Sequence, residues 1–182
     1  MAKLYFRYGV VSSAKTLNLL ATVHNYEKQN KKVVLIKPAL DTRTPDIQSR
    51  AGLSHKANIL LEKEDSLEKY LEEFKDSDAI VVDEVQFLTT AQIEQLRLIT
   101  IGRLSDNSIP VICYGLRTKS DSHLWDSVIR LMALADSIEE VKTTCTFCNK
   151  KAVFSKSVEN TGKELVISWD AFIPVCAEHY YV

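Results

Sequence analysis

Apolar positions in the first forty residues change period twice, and the changes predict a strand, a helix and a second strand. Lys3 to Tyr8 is short and rich in Leu, Tyr and Phe, as a β-strand is. Leu17, Leu20, Ala21 and His24 then recur at i, i+3, i+4 and i+7. That spacing predicts an amphipathic helix ending near Gln29, where Asn30 and two lysines follow. Lys32 to Lys37 is an almost unbroken apolar run of the kind a parallel sheet buries on both faces. The three together make a βαβ unit.

Pro38 to Leu53 carries two prolines and little periodicity, so a loop is expected there, followed by a charged amphipathic helix over Asp65 to Phe74. Ala79 to Asp83 predicts a third buried strand ending in a carboxylate. Thr89 or Thr90 can cap a helix reaching about Leu104, with Ile93, Leu96 and Ile99 or Thr100 on one face. Pro110 to Tyr114 is the fourth strand, Lys119 to Ser127 is polar and irregular, Val128 to Ala135 helical, and Ser137 to Lys142 extended. Strands alternating with helices imply an α/β fold with a parallel sheet, right-handed crossovers and ligands at the carboxyl ends of the strands. The last forty residues read differently: Cys145-x-x-Cys148, β-like runs over Ala152 to Val158 and Glu164 to Ser168 about the turn signal Asn160-Thr161-Gly162, then Cys176-x-x-His179. The expected organisation is an α/β domain over 1–142 and a small zinc-ribbon domain over 143–182.

Charge and composition narrow the function. The 182 residues carry 23 Lys and Arg against 24 Asp and Glu, a net charge of −1, so no basic surface for nucleic acid is expected. The longest apolar runs fall far short of the roughly 20 residues that a membrane-spanning helix needs. The N-terminus passes directly into a strand pattern without the apolar core of a signal peptide, and a cytoplasmic location is expected. In that reducing compartment the four cysteines are better suited to metal ligation or burial than to disulfides.

Two constellations carry chemistry. Gly9, Lys15 and Thr16 fit a P-loop, whose backbone amides cradle phosphates while the lysine reaches them and the hydroxyl binds Mg²⁺. Val10, Val11, Ser12 and Ser13 fill the loop, and Ala14 stands where the motif has its second glycine. A carboxylate ending an apolar strand, Asp83, is placed to hold the Mg²⁺, and Glu84 beside it to act as general base. Alone, this acid pair would read as solvated turn carboxylates; the phosphate loop turns the balance toward catalysis. The second constellation is Cys145, Cys148, Cys176 and His179, two close ligand pairs with 27 residues between them, the arithmetic of a structural zinc site with no open position. Cys113 lies inside an apolar strand as a small hydrophobe, and His24, His55 and His123 have no partnering motif.

Taken in order, the P-loop, the strand ending Asp83-Glu84-Val85-Gln86-Phe87, the segment Tyr114 to Thr118 and the terminal Cys₃His set resemble the cytosolic zinc-containing (type II) thymidine kinases, bacterial members above all, over essentially the whole chain. The resemblance implies Mg²⁺-dependent transfer of the ATP γ-phosphoryl group to the 5′-hydroxyl of thymidine or deoxyuridine, with a structural Zn²⁺ and commonly a homotetramer. It implies roles for Lys15 on the migrating phosphoryl, Thr16 and Asp83 on Mg²⁺, and Glu84 as base. Asp41 and Arg43 match an Asp-x-Arg segment near the phosphates, Val85 and Gln86 fall on the nucleotide side, and Phe87, Leu116, Trp125 and Phe172 on the nucleoside side. The chain departs from the family at Ala14 and at Lys119 to Ser127, where the family's Asp-Phe-x-Gly-x-x-Phe-x-Gly lasso has lost both glycines and its first aromatic. A nucleotide-binding paralogue that acts through a partner is the alternative that these departures leave open.

Overall fold

The computed structural model describes residues 2–41, 46–158 and 171–182. In chain order it runs β1 (Leu4–Gly9), α1 (Lys15–Lys28), β2 (Val33–Pro38), β3 (Asp46–Gln48), β4 (Ser54–Lys56), β5 (Ile59–Leu61), α2 (Leu71–Phe74, after a 3₁₀ turn at Leu67–Tyr70), β6 (Ala79–Val82), α3 (Thr90–Thr100), β7 (Val111–Leu116), α4 (Asp126–Leu134), β8 (Ser137–Glu140), β9 (Phe154–Ser157), β10 (Phe172–Val175) and α5 (Ala177–Tyr180). Among the described residues one six-stranded sheet has the order β5-β2-β6-β7-β1-β8, and every pair in it is parallel.

Alternation along the central strands explains why their sequences are apolar throughout. Val34 and Ile36 of β2, Ile80 and Val82 of β6, and Val111 and Cys113 of β7 face one side, where Ile93 and Leu96 of α3 and Val128 and Leu131 of α4 cover them. Leu35, Val81, Ile112 and Tyr114 face the other, under Leu19, Leu20 and Val23 of α1. Both faces are removed from water, so period-2 polarity has no solvent side to appear on. α3 starts at a capping box: Thr89 Oγ1 accepts from Gln92 N–H at 3.2 Å and Gln92 Oε1 accepts from Thr89 N–H at 3.0 Å.

Several expectations are corrected. The buried face of α1 is Lys15, Leu19, Leu20 and Val23, whereas Ala21 and His24 are exposed. Lys15 opens the helix pointing inward, and that rotation carries the positions four and eight residues later into the core. The segment expected to be loop after Pro38 contains β3 and β4, an antiparallel pair turning near Gly52 (φ 85), and β5 adds a strand to the sheet. Lys119 to Leu124 is a tight loop rather than an irregular one: Thr118 bridges Leu124, Lys119 N–H donates to His123 O at 2.8 Å, and Ser122 has φ 69. In the C-terminal region β9 pairs antiparallel with β10, a strand that Pro174 had hidden. The expected run Glu164 to Ser168 and its turn lie outside the described residues.

Candidate active site and metal cluster

Every strand of a parallel sheet ends at the same edge, and here four of those ends converge. After β1 the chain passes through residues 10–14 into α1. Ser12 (φ 58) and Ala14 (φ 64, ψ 26) are both left-handed, so the loop takes a glycine-type path without glycine there. Lys15 is buried, and its Nζ donates to Val10 O at 2.7 Å. Gly9 itself is dictated by close approach: a Cβ there would lie 2.3 Å from Ser13 Oγ and 2.6 Å from Val141 O. Contacts reach the loop from elsewhere: Arg50 Nη1 donates to Ser12 Oγ at 2.6 Å, and Val11 N–H donates to Ser155 Oγ at 3.1 Å.

β6 supplies the acids. Asp83 is buried, and Glu84, at φ 46, turns back so that its own N–H donates to Asp83 Oδ1 at 3.0 Å. Burial first, then the neighbouring charge of Glu84, pushes the Asp83 carboxyl up to about 7, against the opposing pull of that N–H and of Lys15. A divalent cation fits these residues: Thr16 and Asp83 offer hard oxygen donors, and a positive ion would relieve the charge that burial resists. Gln86, also buried, donates from Nε2 to Glu84 Oε2 at 2.6 Å, and its Oε1 accepts from Leu116 N–H at 2.9 Å. A Cβ at Gly115 would sit 2.5 Å from that Oε1, so a glycine is what admits the glutamine.

Loop and acids open on one cavity of about 470 Å³. Val11, Ser12, Ser13, Ala14, Lys15 and Thr16 line one end of it; Asp41, Asp83, Glu84 and Gln86 lie along its wall, with apolar Phe87, Leu116 and Phe172. Gly9, Val10, Val85 and Trp125 are not on the wall. Val85 is fully buried in the core, and Trp125 meets Phe87 edge-on, with ring centroids 5.5 Å apart. Arg43 lies outside the described residues. Sequence reasoning missed Lys37, next to last in β2 and on the cavity wall, which pairs with Asp41 at 3.4 Å and donates to Asp46 O at 3.2 Å. Its signal was a lysine closing an otherwise apolar run. It also missed residues 48–51 of the β3–β4 turn, which face the loop.

The second constellation comes together as well. The ligand atoms of Cys145, Cys148, Cys176 and His179 lie within 4.8 Å of one another. Tetrahedral zinc with bonds of about 2.0–2.3 Å sets its ligands about 3.5–3.8 Å apart. The observed separations are 3.6 Å for Cys145 Sγ to His179 Nδ1, 3.7 Å for Cys148 Sγ to Cys176 Sγ, 3.7 Å for Cys148 Sγ to His179 Nδ1 and 3.2 Å for Cys176 Sγ to His179 Nδ1. The His179 backbone N–H lowers the Cys176 thiol from its ordinary range, toward the thiolate that metals bind. This set can hold a zinc ion.

A fully parallel sheet with a left-handed, lysine-bearing loop after its first strand and an acid pair two strands away is the layout expected of an α/β protein with its site at the carboxyl ends of the strands. The thymidine kinase family model matches residues 2–180. The thymidine kinase of Francisella tularensis strain SCHU S4 is 36% identical over 197 residues, covering 99% of this chain and 97% of that protein. The thymidine kinase of Streptococcus agalactiae strain A909 is 33% identical over 190 residues, covering 100% and 98%. Among solved structures, domain III of the Thermotoga maritima replication initiation protein DnaA aligns with a TM-score of 0.41 at 22% identity, over 75% of this chain and 53% of that one, a likeness too slight to bear on function. The chain belongs to the thymidine kinase family, on its bacterial, type II side.

Proposed function

We propose that the protein transfers the γ-phosphoryl group of ATP to the 5′-hydroxyl of thymidine or deoxyuridine. One observation carries the reading: Lys15, Glu84 and the apolar group Phe87, Leu116 and Phe172 share a single cavity. A phosphoryl donor, a hydroxyl acceptor and a planar base need those three surroundings side by side. Phosphoryl transfer asks the protein chiefly for positioning and charge neutralisation. Lys15 would meet the migrating group's charge once released from Val10 O. Thr16 and Asp83 would hold Mg²⁺, which neutralises phosphate charge when bound. Glu84, held by Gln86, would accept the 5′-hydroxyl proton. Phe87, Leu116 and Phe172 would pack on the base, with Trp125 backing Phe87. Asp41, tied to Lys37, would border the phosphates.

Relatives named thymidine kinase along the full chain support the substrate, and the Cys₃His geometry supports zinc bracing of residues 143–182. The family resemblance extends to a cytosolic homotetramer. Among the described residues no helix is long and apolar enough to cross a membrane.

ATP-dependent phosphorylation of a nucleoside panel, read by ADP release, tests the proposal. The expected result is turnover on thymidine at an ordinary kinase rate of ~1–100 s⁻¹. ATP binding without phosphorylation of any nucleoside would overturn it and favour the paralogue that acts through a partner. The specific observation behind that second reading is the strained, glycine-free loop at Ser12 and Ala14.

A further inference from the structure

Ser12 and Ala14 hold left-handed conformations that L-residues rarely keep unaided, and such geometry persists only where the surroundings over-determine it. Arg50 reaches Ser12 from the β3–β4 turn. Another contact comes from the opposite end of the sequence. Ser155, on β9 and only 4% exposed, accepts the Val11 N–H through its hydroxyl oxygen at 3.1 Å.

Ser155 is itself fixed by the metal cluster's surroundings. It stands opposite Pro174 in the β9–β10 register. Pro174 O accepts both the N–H and the hydroxyl of Thr146, each at 2.9 Å, and Thr146 follows the ligand Cys145. Two residues past Pro174 the chain reaches the ligand Cys176, and Val153 N–H donates to Val175 O at 2.9 Å to lock the pair in step. Chain connections, the β9–β10 register and these hydrogen bonds thus lead from the Cys₃His set to residues 9–16.

We propose that Ser155 is a positioning residue for nucleotide binding, through which the zinc-held C-terminal region braces a phosphate loop whose second glycine is replaced by Ala14. The proposal rests on the reading of residues 9–16 as a nucleotide phosphate site. Removing the hydroxyl leaves the Val11 N–H without its acceptor and lets the loop relax away from its left-handed path. Phosphate affinity suffers, while the cluster, which Ser155 does not ligate, keeps its metal.

The test is titration calorimetry of MgADP into zinc-loaded full-length protein as wild type, Ser155→Ala, Ser155→Thr, Ala14→Gly and the double variant Ala14→Gly/Ser155→Ala, with zinc content and thymidine affinity measured on the same samples. Ser155→Ala should bind MgADP roughly three- to tenfold more weakly, the loss of one ordinary hydrogen bond. Ser155→Thr, which keeps the hydroxyl, should stay near wild type, and zinc content should not change. The double variant should recover most of the loss, because a glycine holds the left-handed region without a brace. Wild-type affinity in zinc-loaded Ser155→Ala overturns the proposal, as does an equal loss of thymidine affinity, which would signal general damage. Wild type that binds no MgADP would instead sink the phosphate-site reading on which the proposal stands. The MgADP comparison decides the matter whether or not thymidine proves to be the acceptor.

Discussion

Gln86 holds Glu84: its Nε2 donates to the carboxylate at 2.6 Å, while Oε1 takes the backbone N–H of Leu116 at the end of β7. The residue's own carbonyl accepts Ser127 Oγ–H at 2.8 Å, so both the side chain and the backbone of Gln86 are anchored. Placed in the motif as a nucleotide-side residue, it acts in this geometry on Glu84. Gln86→Leu should therefore lower kcat by about tenfold or more and leave MgADP affinity within about twofold, with a stability loss of about 1–3 kcal/mol for the abandoned partners. Steady-state kinetics beside nucleotide titration would separate these, and an unchanged kcat would show that the amide does not position the base.

Glu84 can be tested without disturbing that frame. Glu84→Gln keeps the size and removes the proton acceptor, so transfer should fall by about 10²–10⁴ while ATP binding persists. A variant that kept most of its rate would remove Glu84 from the role of base.

Asp83 carries a pH signature. Its folded-state pKa is raised to about 7, above the usual 3.8. Between those values the folded protein holds a proton that the unfolded chain has released, so this residue's contribution to stability is present at low pH and is lost as pH rises toward 7, at up to about 1.4 kcal/mol per pH unit. Asp83→Asn should stabilise the metal-free protein relative to wild type at pH 8 more than at pH 4.5, and should impair Mg²⁺-dependent transfer. Denaturant melts of both proteins at the two pH values would check it; a pH-independent difference would contradict the raised pKa.

The left-handed Ala14 makes a simple energetic claim. An alanine there costs roughly 1–2 kcal/mol against glycine, partly offset by the extra freedom that glycine gives the unfolded chain. Ala14→Gly should thus raise stability by up to about 1 kcal/mol, or about 2–4 °C in Tm. A lower Tm would mean that the loop has adapted to the methyl group.

Chelation should loosen the C-terminal region first. Hydrogen exchange across β9, β10 and α5 should accelerate when a strong chelator strips the Cys₃His set, before the parallel sheet responds. Unchanged protection there would refute a structural role for the metal.

How much of this was legible in sequence depended on what each residue answers to. Lys15, Thr16, Asp83 and the four metal ligands answer to local spacing, and the structure brings each group together. Ala14 was visible as a departure, but its left-handed path belongs to the fold. Lys37 was hidden because a lysine after four apolar residues reads as a strand end, while its burial against Asp41 depends on the chain turning back. β3, β4 and β5 span three residues each, too short for a period to declare itself. The face of α1 was misread because helical spacing alone could not know that Lys15 had to point inward. Ser155 and Gln86 have long-range partners, and only the fold reveals those.

The sheet stops at β8, which pairs with β1 on one side and, among the described residues, with no strand on the other. Its Glu139 is paired with Arg7, and its Glu140 with Lys151. A stray strand seeking those open backbone groups would meet carboxylates already engaged in ion pairs and would have to strip them before docking. Charge at the margin of the sheet thus disfavours templated pairing there.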